Sequence, residues 1–336
     1  MNDQSELIRT DRMIDGEAGR LFLGQVVRND GDGSGKPLLL IHGARVPGVP
    51  SFDLPVPGGS LAGDLAGAGF TVFIGDLRGY GYSDRLDAMH EDPAASKPLV
   101  RVRDAARDIG AMVAWITAAT GHERVSLLGW ATGGMWCGYF ASTRPEAVDS
   151  LVLYNALYRS PDHPTLGHGS SLEAPEHPGR FAATAYGGYR FNAASSLLGA
   201  WDTSIPTNNP DDWRDPAIAA SYVEQALASD ETAEERDPPT FRAPAGALQD
   251  SFYQATGRQL YDASLIECPT LVIAGERDFW SQPVDRDEFS RHFRRESDLR
   301  VHVVENGTHF MHLDRPEAGR AEFLREVLDF LGESSV

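Results

Sequence analysis

Residues 124–134, RVSLLGWATGG, decide the fold. The run Val125-Ser126-Leu127-Leu128 is short and mostly apolar, as suits a strand covered on both faces. It passes without a spacer into Gly129-Trp130-Ala131-Thr132-Gly133-Gly134, and the apolar stretch beyond, to about Ser142, predicts a helix packed on the sheet. A strand that turns into a helix without a loop leaves room only for small residues on either side of its apex. Here the apex is position 131, an alanine.

The same rhythm extends in both directions. Residues 20–28 (RLFLGQVVR) read as a strand ending in the Gly-rich turn 29–37. Residues 38–41 are wholly apolar and stop at His42-Gly43; residues 70–74 form a second such run, ending at Gly75-Asp76. Residues 60–69 read as a short helix, and 99–119 as a longer one, with Val102, Ala106, Ile109, Val113 and Ile116 at three- and four-residue steps. Residues 151–154 are another core strand. Residues 270–274 lead into Gly275-Glu276-Arg277-Asp278, and Leu299–Val304 into Gly307-Thr308-His309; an amphipathic helix over about 316–331 follows. Alternating strands and helices of this kind predict an α/β protein with a mostly parallel sheet. Between 156 and 267 the rhythm breaks into prolines, glycines, scattered aromatics and short helical pieces such as 216–228. The predicted organisation is a core from 1–155 and 268–336, with an inserted cap over 156–267.

The 336 residues are 41% hydrophobic and 24% charged, ordinary for a soluble globular chain. No run approaches the ~18 apolar residues of a membrane span. The opening MNDQSELIRTDR has no apolar stretch behind a basic start, so no secretory signal is expected. A net charge of −19 argues against a nucleic-acid partner and against anionic membranes. It leaves a mostly apolar small molecule as the least hindered substrate. Cys137 and Cys268 lie far apart and have no metal-ligand spacing, so neither a metal nor a structural disulfide is expected, and a reducing cytoplasm fits. No cofactor is called for. A homodimer through exposed cap or sheet-edge surface stays open.

Three residues follow three strands in the order Ala131, Asp278, His309. In parallel-sheet proteins the crevice beyond the strands' carboxyl ends is where ligands bind, so this placement gathers distant segments at one pocket. Singly, each has a bland reading: an aspartate after a strand is usually a turn residue, and a lone histidine usually structural. Together, the chain resembles the α/β-hydrolases, in particular the cap-bearing esterase, lactonase and aminopeptidase-like group, over its whole core. Gly129-Trp130-Ala131-Thr132-Gly133 resembles the Gly-x-Ser-x-Gly nucleophile elbow, with alanine where the serine belongs. His42-Gly43-Ala44 resembles the oxyanion loop. Residues 76–84, DLRGYGYSD, resemble the segment that braces this loop, and are read as structural. Gly275-x-x-Asp278 resembles the acid turn and Gly307-Thr308-His309 the histidine loop.

The resemblance implies Ala131 at the nucleophile position, Asp278 and His309 as acid and base, and the amides of Ala44 and Thr132 as oxyanion donors. Trp130 and Trp280 flank catalytic positions and are the expected substrate contacts. His302 lies inside a strand and His312 beyond the loop apex, so both rank below His309. Asn155 stands where some relatives carry the acid but has no charge to supply. Thr132 is one position off the apex, and Cys137 lies inside the helix.

Two explanations of the alanine compete. Position 131 is natively serine and the chain a deliberately disabled variant, or the alanine is natural and the protein binds a ligand or uses His309 as a base. Decay would relax the remaining requirements, yet the histidine, acid and glycines persist, which favours the first. The leading function is hydrolysis of an ester or lactone, abolished in the chain as written. The alternatives are amide or C–C bond hydrolysis, for which Glu173, Glu176, Glu231, Glu234 and Glu235 could recognise an amine, and a pseudoenzyme.

Overall fold

Every residue is buried in β3 (Pro37–Ile41), β4 (Thr71–Gly75) and β5 (Val125–Trp130) of the computed structural model, which describes residues 7–29 and 35–333. Their apolar runs therefore face packed layers on both sides. Leu39 and Ile41 join one core cluster with Phe73, Ile109, Met112 and Trp136. Leu38 and Leu40 join another with Leu65, Val72, Phe323 and Val327. Side chains alternate across a strand, so a continuous apolar run is what a two-sided core demands. Helices Val102–Thr120 and Thr132–Thr143 cover the first face; helices Leu61–Gly67 and Arg320–Glu333 cover the second.

The chain begins with the hairpin β1 (Leu7–Gly16) and β2 (Gly19–Arg28), and β6 (Val148–Tyr154) follows β5. After β6 comes a long insertion. It holds two small antiparallel pairs, β7 (Glu173–Ala174) with β8 (His177–Phe181) and β9 (Tyr189–Ala193) with β10 (Thr240–Pro244), and helices Pro216–Ala228 and Gly246–Ala255. The sheet resumes with β11 (Thr270–Gly275) and β12 (Leu299–Val304). Its order is β1-β2-β4-β3-β5-β6-β11-β12, antiparallel through β1, β2 and β4 and parallel from β4 onward. The mostly parallel α/β sheet read from the sequence is the observed architecture.

Three local differences have simple causes. Strand β1, LIRTDRMIDG, escapes the sequence reading because it is an edge strand with mostly exposed side chains, held by backbone pairing to β2 along its length. The final helix starts at Arg320 because Gly319, at φ 108°, separates it from the 3-10 turn Pro316–Ala318. Helix Pro283–His292, unmarked in the sequence reading, has proline at its first turn and a capping box between Gln282 and Asp285. Most of the Gly-rich turn (30–34) and the first six residues fall outside the described residues. Cys137 and Cys268 are buried free thiols. Among the described residues, no helix is long and apolar enough to cross a membrane.

Candidate active site

Ala131 joins β5 to the helix Thr132–Thr143 with no residue between them, at φ 53° and ψ −117°. A side-chain-bearing residue adopts such angles only where its surroundings enforce them. Here they do. A Cβ on Gly129 would sit 2.3 Å from the Gly133 carbonyl oxygen, and one on Gly133 2.3 Å from that of Ile41. The Ala131 N–H donates to the Tyr154 carbonyl at 2.8 Å, pinning the apex to β6.

Beyond the ends of β11 and β12, the imidazole of His309 meets the carboxylate of Asp278, with Nδ1 2.5 Å from Oδ1. The carboxylate can only accept, so Nδ1 carries the proton and Nε2 is left as the basic nitrogen. Asp278 has a fully buried side chain and is held in turn: Oδ2 accepts from the Ser281 amide (2.8 Å) and hydroxyl (2.7 Å), and Oδ1 from the Trp280 amide at 3.1 Å. The His309 carbonyl accepts from Trp130 Nε1 at 3.0 Å, Tyr154 Oη at 3.1 Å and Asn155 Nδ2 at 3.1 Å. Asn155 also accepts from the Gly275 amide at 2.9 Å, so one buried carboxamide ties the acid turn to the histidine loop.

Ala131 and His309 line one cavity of about 200 Å³, together with Ala44, Thr132, Trp130 and Trp280. Of the seven residues expected at the site, all line it apart from Asp278, which stands behind the imidazole. His42, directly after β3, is buried; its Nδ1 donates to the Gly43 carbonyl at 2.7 Å and its Nε2 accepts from the Leu77 amide at 3.3 Å. Burial pushes its pKa down to about 4, so it is neutral. In the segment read as a brace, Asp76 accepts from the amides of Gly48 (2.6 Å) and Tyr82 (2.9 Å), and burial raises its pKa to about 6. Arg78 is paired with buried Asp108 at 2.6 Å.

The competitors lie elsewhere. His302 pairs with Glu322 at 2.7 Å. His312 is fully buried between Ser51 and Tyr154. Cys137 is fully buried in the helix, and burial pushes its thiol pKa upward. None of the five glutamates considered for amine recognition lines the cavity, and Glu173 is engaged by His168, Gly169 and Gly179 of its own turn. Among the described residues, no group of three or more His, Cys, Asp or Glu is placed to hold a metal ion.

The sequence reading missed part of the lining: Arg45, Arg190, Leu197, Leu248, Phe279 and Phe310, with Tyr222, one of the insertion's scattered aromatics, which also belongs to a core cluster. Arg45, directly after the oxyanion-loop motif, carried a signal that could have been read. Arg190 carried none.

The sheet order, the loopless elbow and the histidine–carboxylate pair at the strand ends define a protein of the hydrolase-type α/β class. The chain belongs to the alpha/beta hydrolase fold family, whose model matches residues 36–316. It is similar to Lipase member M of Homo sapiens, with 29% identity over 123 residues, covering 36% of this chain and 29% of that protein's length. Among solved structures it is similar to E-2-(acetamidomethylene)succinate hydrolase (19% identity, 97% of this chain and 100% of that one, TM-score 0.62). It is also similar to a thermophilic esterase from Thermogutta terrifontis (17% identity, 98% and 100%, TM-score 0.59). At these identities the structural likeness concerns the fold.

Proposed function

We propose that this chain is the frame of a serine hydrolase that cleaves an ester or lactone of a mostly apolar small molecule, with alanine in the place of the attacking serine. The observation that carries this reading is the Asp278–His309 hydrogen bond, beside a cavity shared with Ala131 at φ 53°. With serine at 131, His309 Nε2 takes the hydroxyl proton while the oxygen attacks the substrate carbonyl. The amides of Ala44 and Thr132 hold the tetrahedral oxyanion, and Asp278 supports the imidazolium. His309 then protonates the leaving oxygen. Water, deprotonated by the same nitrogen, releases the acid.

Residues 156–267 act in this reading as a cap, supplying Arg190, Leu197, Tyr222 and Leu248 to the cavity wall. The cap sets specificity and keeps water from the reacting carbon. The reading needs no cofactor, metal, nucleic acid or membrane partner, places the protein in a reducing cytoplasm, and leaves a homodimer open. As written, the chain binds substrate but turns it over on the order of 10⁶-fold more slowly than its serine form.

The test is Ala131→Ser followed by treatment with a fluorophosphonate probe. A covalent adduct at 131 is expected, and assays on lactones, aryl esters and aminoacyl amides then place the bond. No adduct and no turnover would leave a ligand-binding protein instead.

A further inference from the structure

Two guanidinium groups, those of Arg45 and Arg190, line the cavity, and neither has a carboxylate partner among the described residues. Arg45 donates from Nε to the Asn192 side chain at 3.2 Å, from Nη1 to the Ser196 carbonyl at 3.1 Å, and from Nη2 to the Ser196 hydroxyl. All three acceptors are neutral. Arg190 donates from Nη2 to the Ala44 carbonyl at 2.9 Å, and its Nε is buried without a partner.

Elsewhere the same fold neutralises its buried cations. Arg78, Arg214, Arg242 and Arg320 are each paired with an aspartate: Asp108, Asp202, Asp230 and Asp64 respectively. The cavity arginines are half-buried and lack such an aspartate, as does half-buried Arg85, which donates to the carbonyls of Ser83 and Ser229. What sets Arg45 and Arg190 apart is their place: two cations face one cavity of a chain with a net charge of −19, and no aspartate or glutamate lines it. Burial, together with the neighbouring Arg45, pushes Arg190 down to about 10, so it remains a cation at neutral pH. A cation partly withdrawn from water, with no carboxylate beside it, is favoured further by an anionic ligand. Two further lining residues have a buried polar atom without a partner: Thr132 Oγ1 and Trp280 Nε1. Arg190 Nε and Trp280 Nε1 can only donate, so both want an acceptor that the wall does not supply.

We propose that Arg45 and Arg190 receive an oxyanion carried by the substrate, so that the ester or lactone presented to position 131 is an acidic one, an apolar body bearing a carboxylate or phosphate group. The planar fork of arginine suits either anion. Arg45 directly follows the oxyanion-loop motif and Arg190 donates to Ala44, so the anion binds on the oxyanion-loop side of the reacting carbonyl. The assignment of a reaction rests on the hydrolase reading; the binding of an anion does not.

The chain as it stands, with Ala131, is therefore the right protein for the test. Calorimetry compares monomethyl glutarate with methyl valerate, which differs by a methyl in place of the carboxylate, and with a phosphonate analogue of the same length. The anionic esters are expected to bind about tenfold or more tightly than the neutral one, the advantage shrinking as salt is added. The tighter of the two anions identifies the group. Arg190→Met and Arg45→Met are each expected to bring the anionic-to-neutral affinity ratio close to one, and Arg190→Lys, which keeps the charge but not the fork, to leave it intermediate. Equal affinity for charged and neutral esters, or a ratio untouched by both methionine variants, would overturn the proposal. Since no step requires a serine, such a result would stand apart from a failure of probe labelling in the Ala131→Ser protein.

Discussion

The side-chain amide of Asn155 donates to the backbone carbonyl of His309 at 3.1 Å while its oxygen accepts from the Gly275 amide at 2.9 Å. The histidine loop follows β12 and the acid turn follows β11, so a residue beyond a third strand, β6, sets their separation. Asn155 also sits at φ 48°, where asparagine is tolerated better than most side chains. An aspartate here could not donate to the carbonyls of Thr308 and His309 that the amide now serves.

Asn155→Ala strips these bonds from a fully buried site and places alanine at a positive φ. A loss of about 2–4 kcal/mol is expected, from the unpaired polar groups left behind and the backbone penalty. Differential scanning calorimetry measures it. In the Ala131→Ser background kcat should fall more than KM rises, because the damage is to the placement of the base. Unchanged stability and kcat would refute a positioning role.

Gly133→Ala drives a methyl to within 2.5 Å of two backbone carbonyls, those of Ile41 and His42. Neither can retreat without moving β3, so a loss of about 3 kcal/mol or more is expected, lowering Tm by roughly 4 °C or more in a chain of this size. Gly199→Ala, with nothing within 4 Å, is the control and should fall within about 0.5 kcal/mol of the parent. Equal melting temperatures for the two variants would show that the elbow is not tight.

His42 is buried and neutral, its pKa pushed down by burial from 6.5 to about 4. As pH falls from about 6.5 towards 4, the unfolded chain takes up a proton at this histidine before the folded one does. Stability from this residue is thus intact above the unfolded pKa and is lost on acidification across that window. Relative to His42→Gln, the parent should lose up to ~1.4 kcal/mol per pH unit there and nothing extra above pH 7. Asp76, raised to about 6, pulls the other way but is common to both proteins and cancels. Urea melts of both proteins across the range check this; a gap independent of pH would count against a neutral buried His42.

Much of the site was legible because its parts sit at fixed short distances from strand ends. His42-Gly43-Ala44 follows β3, Ala131 follows β5, and Asp278 and His309 follow β11 and β12. Strand ends are readable from local apolar runs. Cavity walls are not. Phe279 and Phe310 neighbour predicted residues and could have been inferred from them, but Leu197 and Leu248 belong to the insertion, where no periodicity points anywhere.

From the sequence alone came the layered sheet, the tight turn with alanine at its apex and the acid–histidine order, since burial on two faces and a loopless turn each leave a local imprint on residue type. The tertiary structure alone decided the character of the pocket. Arg190 meets Ala44 across 146 residues of chain, and whether a guanidinium there finds a carboxylate is settled by which segments happen to pack together. Charge compensation is a property of neighbours in space, and neighbours in space leave no periodic trace along a chain.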